Sequence, residues 1–137
     1  MKSWSVVRTC RYIEESMTTE LLVVMPVFNE EECLPSVLRE WVGVLDRSGI
    51  DYRFLAIDDG SRDASAEILH AWKNGSAPHR FEFVSQANRG HGATCVQGYR
   101  SACNAGVPWV FQIDSDGRCD PRFFFSLWEM RHEVDVV

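Results

Sequence analysis

The chain has 137 residues, with 14 Lys and Arg against 20 Asp and Glu for a formal charge of −6, which suits one domain and argues against a nucleic-acid partner, since no dense Lys/Arg stripe is present. At 45% hydrophobic and 25% charged residues it can bury a core, which excludes wholesale disorder and collagenous or low-complexity organisation. Its longest nearly uncharged stretches, Leu21 to Asn29 and Ala102 to Ile113, are broken by Pro and polar residues and fall short of the roughly 18 apolar residues that a bilayer span needs.

Residues 1–20 lack the apolar core and small-residue cleavage site of a signal peptide and are expected to form a poorly ordered extension. From Leu21 onward, short β-rich apolar runs alternate with segments of helical period, the pattern of an α/β sheet with parallel strands. Leu21 to Met25 reads as the first strand. A helix follows from about Glu30 to Asp46, with Leu34, Val37, Leu38, Trp41 and Leu45 at spacings of three and four, and Ser48-Gly49 ends it. Tyr52 to Ile57 is the next strand, and Asp63 to Lys73 the next helix, with Ile68, Leu69 and Trp72 turned inward. Phe81 to Val84 is a third strand, and after Gly92 a helix runs to about Asn104. Trp109 to Ile113 is a fourth strand, and Asp120-Pro121 opens another helix with Asp as cap and Pro at its first position. Val134 to Val137 reads as a further strand, cut short.

The unusual residues fall at the carboxyl ends of these strands. Pro26-Val27-Phe28-Asn29-Glu30 follows the first, Asp58-Asp59-Gly60-Ser61 the second, Asn88-Arg89-Gly90-His91-Gly92 the third and Asp114-Ser115-Asp116-Gly117 the fourth. In an open parallel sheet those ends share one edge, and ligands bind outside them near the switch in strand order. Asp114-Ser115-Asp116 offers two hard oxygen ligands one residue apart, suited to Mg²⁺ or Mn²⁺ that takes its other ligands from water and substrate phosphates. Asp58-Asp59 reads equally as a hydroxyl-binding pair or as helix N-terminal chemistry, with Ser61 or Asp63 as cap. Asn88 to Gly92 supplies a cation, two glycines and a helix start, which is either an anion site or an ordinary strand-to-helix loop. A dinucleotide fingerprint is rejected there, because Cys95 stands where the third glycine belongs and the segment follows the third strand. His91 reads as a surface polar residue, and Cys95 and Cys103 as small core residues. The cluster Phe123-Phe124-Phe125 with Trp128 reads as helix-to-sheet packing. The five cysteines, Cys10, Cys33, Cys95, Cys103 and Cys119, are odd in number and form no CxxC pair, which favours a reducing compartment, the cytoplasm by default.

Together, Pro26 to Glu31, Ile57 to Asp63, Asn88 to Gly92 and Gln112 to Gly117 resemble the family 2 glycosyltransferases, over the chain from about Leu21 to its end. The resemblance implies the GT-A fold, a Rossmann-like α/β sandwich whose mostly parallel sheet is flanked by helices. It also implies a UDP- or GDP-sugar donor, a divalent cation and inversion at the anomeric carbon. Carried over residue by residue, it sets Pro26, Phe28 and Glu30 against the nucleotide and Ile57 and Asp59 around its base and ribose. Asp114, Ser115 and Asp116 would hold the diphosphate, Asp114 and Asp116 would reach the metal, and Asp116 carries the catalytic assignment. Arg89 is a looser match, as a phosphate contact.

Within the family the first two motifs look most like the branch of the dolichyl-phosphate mannosyltransferases, whose acceptor is a polyprenyl phosphate. A phosphate monoester is largely ionised at neutral pH and needs little general-base help, whereas a glycan hydroxyl acceptor would require a base. Arg118 departs from the pattern, standing where Gln is expected. Residues 21–137 are thus expected to form a nucleotide-sugar-binding domain that lacks the acceptor side, with membrane contact at the cytoplasmic face left to residues further on. Two rivals stand beside the transferase. One is a non-catalytic nucleotide-sugar-binding fragment. The other, a nucleotidyltransferase, lacks its Gly-rich basic loop after the first strand.

Overall fold

The computed structural model describes residues 5–8, 19–75, 79–133 and 135. Five strands form one sheet: β1 (Ser5–Arg8), β2 (Leu21–Val27), β3 (Tyr52–Asp58), β4 (Phe81–Ser85) and β5 (Trp109–Gln112), in the order β1-β5-β2-β3-β4. β5, β2, β3 and β4 are parallel, and β1 runs antiparallel along β5. The expected alternation of strands and helices is therefore present, with one addition. Part of the expected N-terminal extension, Ser5–Arg8, is an edge strand. Four residues are too few for their alternation to stand out in sequence, and the open edge of β5 supplies the backbone partners. The strand expected at Val134 to Val137 falls on residues of which only Asp135 is described.

The central strand β2 is buried along its whole length, as a strand covered on both faces must be. Leu21, Val23 and Met25 meet Leu34, Leu38, Trp41 and Leu45 of α1 (Leu34–Asp46), Leu69 of α2 (Ser65–Gly75), and Phe124 and Trp128 of α4 (Phe124–Met130) on one face. Leu22 and Val24, with Leu55, Ile57 and Val110, meet Ala102 and Tyr99 of α3 (His91–Asn104) on the other. Trp41, Phe111 and Phe124 form a ring cluster with centroids 5.1–6.3 Å apart, a tilted and edge-on arrangement that adds directional contact to the buried area. It docks α4 on α1 and so anchors the segment that leads out of β5. A 3-10 turn, Pro121–Phe123, precedes α4, and the Asp120 carboxylate accepts from the Arg122 N–H at 2.9 Å, the cap that Asp-Pro predicts. Cys95 and Cys119 are buried, but Cys103 is exposed rather than in the core, since it lies on the outer side of α3. Cys10 lies outside the described residues.

The chain passes from β2 through β3 to β4 on one side and then returns to place β5 on the other side of β2. That reversal opens a crevice at the carboxyl ends of β2 and β5. Val24 carbonyl accepts the Ile113 N–H, so residues of that parity in β2 turn their backbone groups toward β5. Pro26 is the next of them and has no N–H to offer, and the β2–β5 pairing stops at Val24 and Gln112.

Candidate functional site

The crevice is a cleft of about 420 Å³, within the size range of small-molecule sites. Pro26, Val27, Phe28 and Glu30 line it from the end of β2, Asp59 from the end of β3, Asn88, Gly90 and His91 from the segment before α3, and Asp114, Ser115 and Asp116 from the end of β5. All four motifs therefore share one edge, as their positions at strand ends require.

The first two loops are joined by side chains of each reading the backbone of the other. Asn29 N–H donates to Ser61 Oγ (3.0 Å), Glu30 N–H to Ser65 Oγ (2.9 Å) and Glu31 N–H to Asp63 Oδ2 (3.0 Å). In return Arg62 N–H donates to Asn29 Oδ1 (2.7 Å) and Ala64 N–H to Glu31 Oε2 (2.8 Å). α1 itself begins at Leu34 and not near Glu30. The N–H groups of residues 29–31 are committed to the neighbouring loop, and Asn29 takes φ +52, which Asn tolerates better than most residues. Asp63 also accepts from Ser65 N–H through Oδ1 (3.0 Å) at the start of α2, the capping role expected of it. Burial would raise the Asp63 pKa, but its hydrogen bonds outweigh that and hold it below the ordinary value.

Asp59 is only 3% exposed, and its carboxylate organises the third loop. Oδ1 accepts from Gln86 Nε2 (3.0 Å) and Arg89 N–H (2.8 Å), and Oδ2 accepts from Gly90 N–H (2.9 Å). Burial pushes the Asp59 pKa up, yet these donors more than offset it and the net displacement is downward. Gly60 makes the close approach feasible: it has φ +78, and a Cβ there would lie 2.8 Å from the Asn88 nitrogen.

On the β5 side the charges are less well matched. Burial and the charge of Asp116 raise the Asp114 pKa, against the pull of His91, whose Nε2 is 3.7 Å from Asp114 Oδ1. Glu30 is likewise raised, by burial first and then by Asp116 and Asp63. Asp116 accepts from Arg118 N–H at Oδ1 (3.0 Å), and Arg118 Nε lies 3.3 Å from Oδ2. Burial also pushes the Cys95 thiol, which contacts His91, up to about 11.

Seven of the residues singled out in the sequence thus face the cleft: Pro26, Phe28, Glu30, Asp59, Asp114, Ser115 and Asp116. Two do not line it. Ile57 is fully buried among the residues under α3, because it shares strand parity with Leu55. Arg89 is exposed, and its backbone, not its guanidinium, makes the contact with Asp59. Sequence reasoning gave no role to Gln86, for which no local signal exists, or to Gln112, for which one does: an amide that closes a buried, otherwise apolar strand.

Residues 22–136 match the family described as Glycosyl transferase family 2. The undecaprenyl-phosphate 4-deoxy-4-formamido-L-arabinose transferase of Sodalis glossinidius (strain morsitans) is 32% identical over 116 residues, covering 84% of this chain and 35% of the relative. The enzyme of the same name from Pseudomonas fluorescens (strain SBW25) is 31% identical over 94 residues, covering 69% of this chain and 27% of its own length. The chain thus spans about a third or less of these relatives. Among solved structures, S. aureus TarS 1–349 in complex with UDP superposes with TM-score 0.60 at 17% identity, over 84% of this chain and 32% of that one. Mannosyltransferase PcManGT from Pyrobaculum calidifontis, in complex with GDP-Man and Mn²⁺, superposes with TM-score 0.59 at 17% identity, over 84% and 31%. These likenesses establish the expected α/β architecture as the GT-A fold, and with the family match they make this chain a member of glycosyl transferase family 2.

Proposed function

We propose that this chain is the nucleotide-sugar-binding part of an inverting family 2 glycosyltransferase that transfers a sugar from a UDP- or GDP-sugar to a polyprenyl phosphate. The observation that carries this is the convergence of Pro26, Phe28, Glu30, Asp59, Asp114, Ser115 and Asp116 on one cleft at the switch in strand order. Phe28 is 46% exposed at its rim, an aromatic surface against which a nucleotide base can pack. Asp59 acts chiefly by holding the 86–90 loop against the cleft, since its oxygens already carry three donors.

The donor set fits a divalent cation. Asp114 and Asp116 are hard oxygen ligands, and Asp114 is destabilised by burial and by its acidic neighbour. The Arg118 ion pair with Asp116 is largely solvent-exposed and contributes at most about 1 kcal/mol, so a cation can displace it. Among the described residues no group of three or more His, Cys, Asp or Glu is arranged to hold an ion. Two carboxylates are then the protein's share, and diphosphate and water supply the rest. Bound there, Mg²⁺ or Mn²⁺ would neutralise charge on the departing diphosphate. Ser115, buried beside them, would orient the diphosphate.

The polyprenyl phosphate acceptor rests on the names of the relatives, and its ionised phosphate requires no strong general base. Such an acceptor is a membrane lipid, so this reading sets the reaction at a membrane surface, and the cytoplasmic face is the side we propose. No helix among the described residues is long and apolar enough to cross one. The coverage of about a third of the relatives favours a second reading, in which these residues bind donor without completing transfer.

Calorimetry with UDP, GDP and their sugar conjugates, with and without Mn²⁺, tests the proposal. We expect Mn²⁺-dependent binding that Asp116→Ala abolishes; unchanged binding in that variant would overturn the metal assignment. Sugar transfer to a polyprenyl phosphate by the 137-residue chain would exclude the second reading, and binding without transfer would support it.

A further inference from the structure

Strand β5 carries Val110 and Gln112 on the face covered by α3, with Trp109 and Phe111 on the other. Asp114 follows in the same parity, so the period of two sets its carboxylate directly after the Gln112 side chain. Gln112 is 5% exposed and lies beside Val24, its partner on β2, where an apolar side chain would cost nothing in desolvation. Both ends of its amide are nevertheless engaged. Nε2 donates to Asp114 Oδ1 at 3.0 Å, and Oε1 accepts from Tyr99 O–H of α3 at 2.8 Å.

The direction of this chain is determined by chemistry. An ionised carboxylate only accepts, so the amide must present its NH₂ group to Asp114 and its oxygen to Tyr99, and the phenol must then donate. His91 Nε2, at 3.7 Å from the same carboxylate oxygen, is too far to replace the amide.

We infer that Tyr99 and Gln112 are positioning residues, a half-buried relay that fixes the Asp114 carboxylate for a divalent cation. The inference rests on the proposed assignment of Asp114 as a metal ligand. Neither residue touches the ion or the nucleotide; each acts through Asp114, in the way that hydrogen-bond partners behind metal ligands usually do.

The test is Mn²⁺ binding to the 137-residue chain in the presence of GDP and, separately, UDP, followed by the EPR signal of the free ion. Gln112→Leu is expected to weaken Mn²⁺ by about 10–100-fold, the usual cost of removing such a partner. Tyr99→Phe, which removes a single oxygen and so spares the fold, is expected to weaken it in the same direction by less. In an Asp114→Ala background, Gln112→Leu should cost nothing further, because the group it orients is gone. A purely structural role would instead lower the melting temperature in both backgrounds while Mn²⁺ affinity well below the melt stayed the same. Wild-type Mn²⁺ affinity in Gln112→Leu and Tyr99→Phe, or a Gln112→Leu loss equally large without Asp114, would overturn the relay. Wild-type affinity in Asp114→Ala alone would instead remove the ligand assignment on which the relay rests, and both fall together.

Discussion

Asp59→Asn isolates the charge of one buried carboxylate from its shape. The native group accepts from Gln86 Nε2, Arg89 N–H and Gly90 N–H at 2.8–3.0 Å. Asn keeps one acceptor oxygen and presents an NH₂ group where the second oxygen stood, so one of the loop's N–H groups faces a donor. Hydrogen bonds to a charged group contribute about 1.5–3 kcal/mol and neutral ones about 1. Losing one charged bond and reducing the other two to neutral ones gives an expected destabilisation of about 2.5–7 kcal/mol at pH 7, an upper range because such terms are not additive. Urea unfolding of the ligand-free chain over a pH series, with amide hydrogen exchange at Arg89 and Gly90, measures it. The Asp59 pKa is displaced downward on folding, because its donors outweigh its burial. Its contribution is therefore fully present above the unfolded pKa of about 3.9 and is lost as pH falls through the lower folded value. The wild-type and variant stability curves should stand apart at neutral pH and converge in acid. A gap below about 0.5 kcal/mol at pH 7, with Arg89 and Gly90 exchange unchanged, would refute the claim that this carboxylate holds the loop.

Two further outcomes follow from packing and burial. A Cβ on Gly98 would lie 2.2 Å from Val24 Cγ1, so Gly98→Ala should forfeit the roughly 1 kcal/mol that Ala gains in a helix to an overpacking cost of about 1–3 kcal/mol. Val24→Ala in the same chain should restore part of that, and strict additivity in urea unfolding would contradict the contact. Burial raises the thiols of Cys95, to about 11, and of Cys119, whereas Cys103 is exposed. Alkylation of the native chain at neutral pH should mark Cys103 and spare the other two, and mass spectrometry showing equal labelling would contradict that.

The buried patterns were legible in the sequence because they follow local period. Leu34, Val37, Leu38, Trp41 and Leu45 lie on the inner face of α1, and Leu21–Val27 is the fully covered strand that its continuous apolar run implies. The rim motifs were legible for the same reason, since a polar cluster after a buried strand must emerge at its carboxyl end. The pairing of β1 with β5 was not, because four residues hold an edge only when a neighbour offers unpaired backbone.

What the sequence by itself determined is the order of strands and helices, the inward faces and the set of residues that meet at one edge, all consequences of periods of two and 3.6 along the chain. Only the tertiary structure decided what those residues do to one another. The joining of residues 29–31 to 61–65, the three donors on Asp59 and the line from Tyr99 through Gln112 to Asp114 depend on where separate loops come to rest. A hydrogen bond selects its partner by distance and direction in space, and sequence separation carries neither.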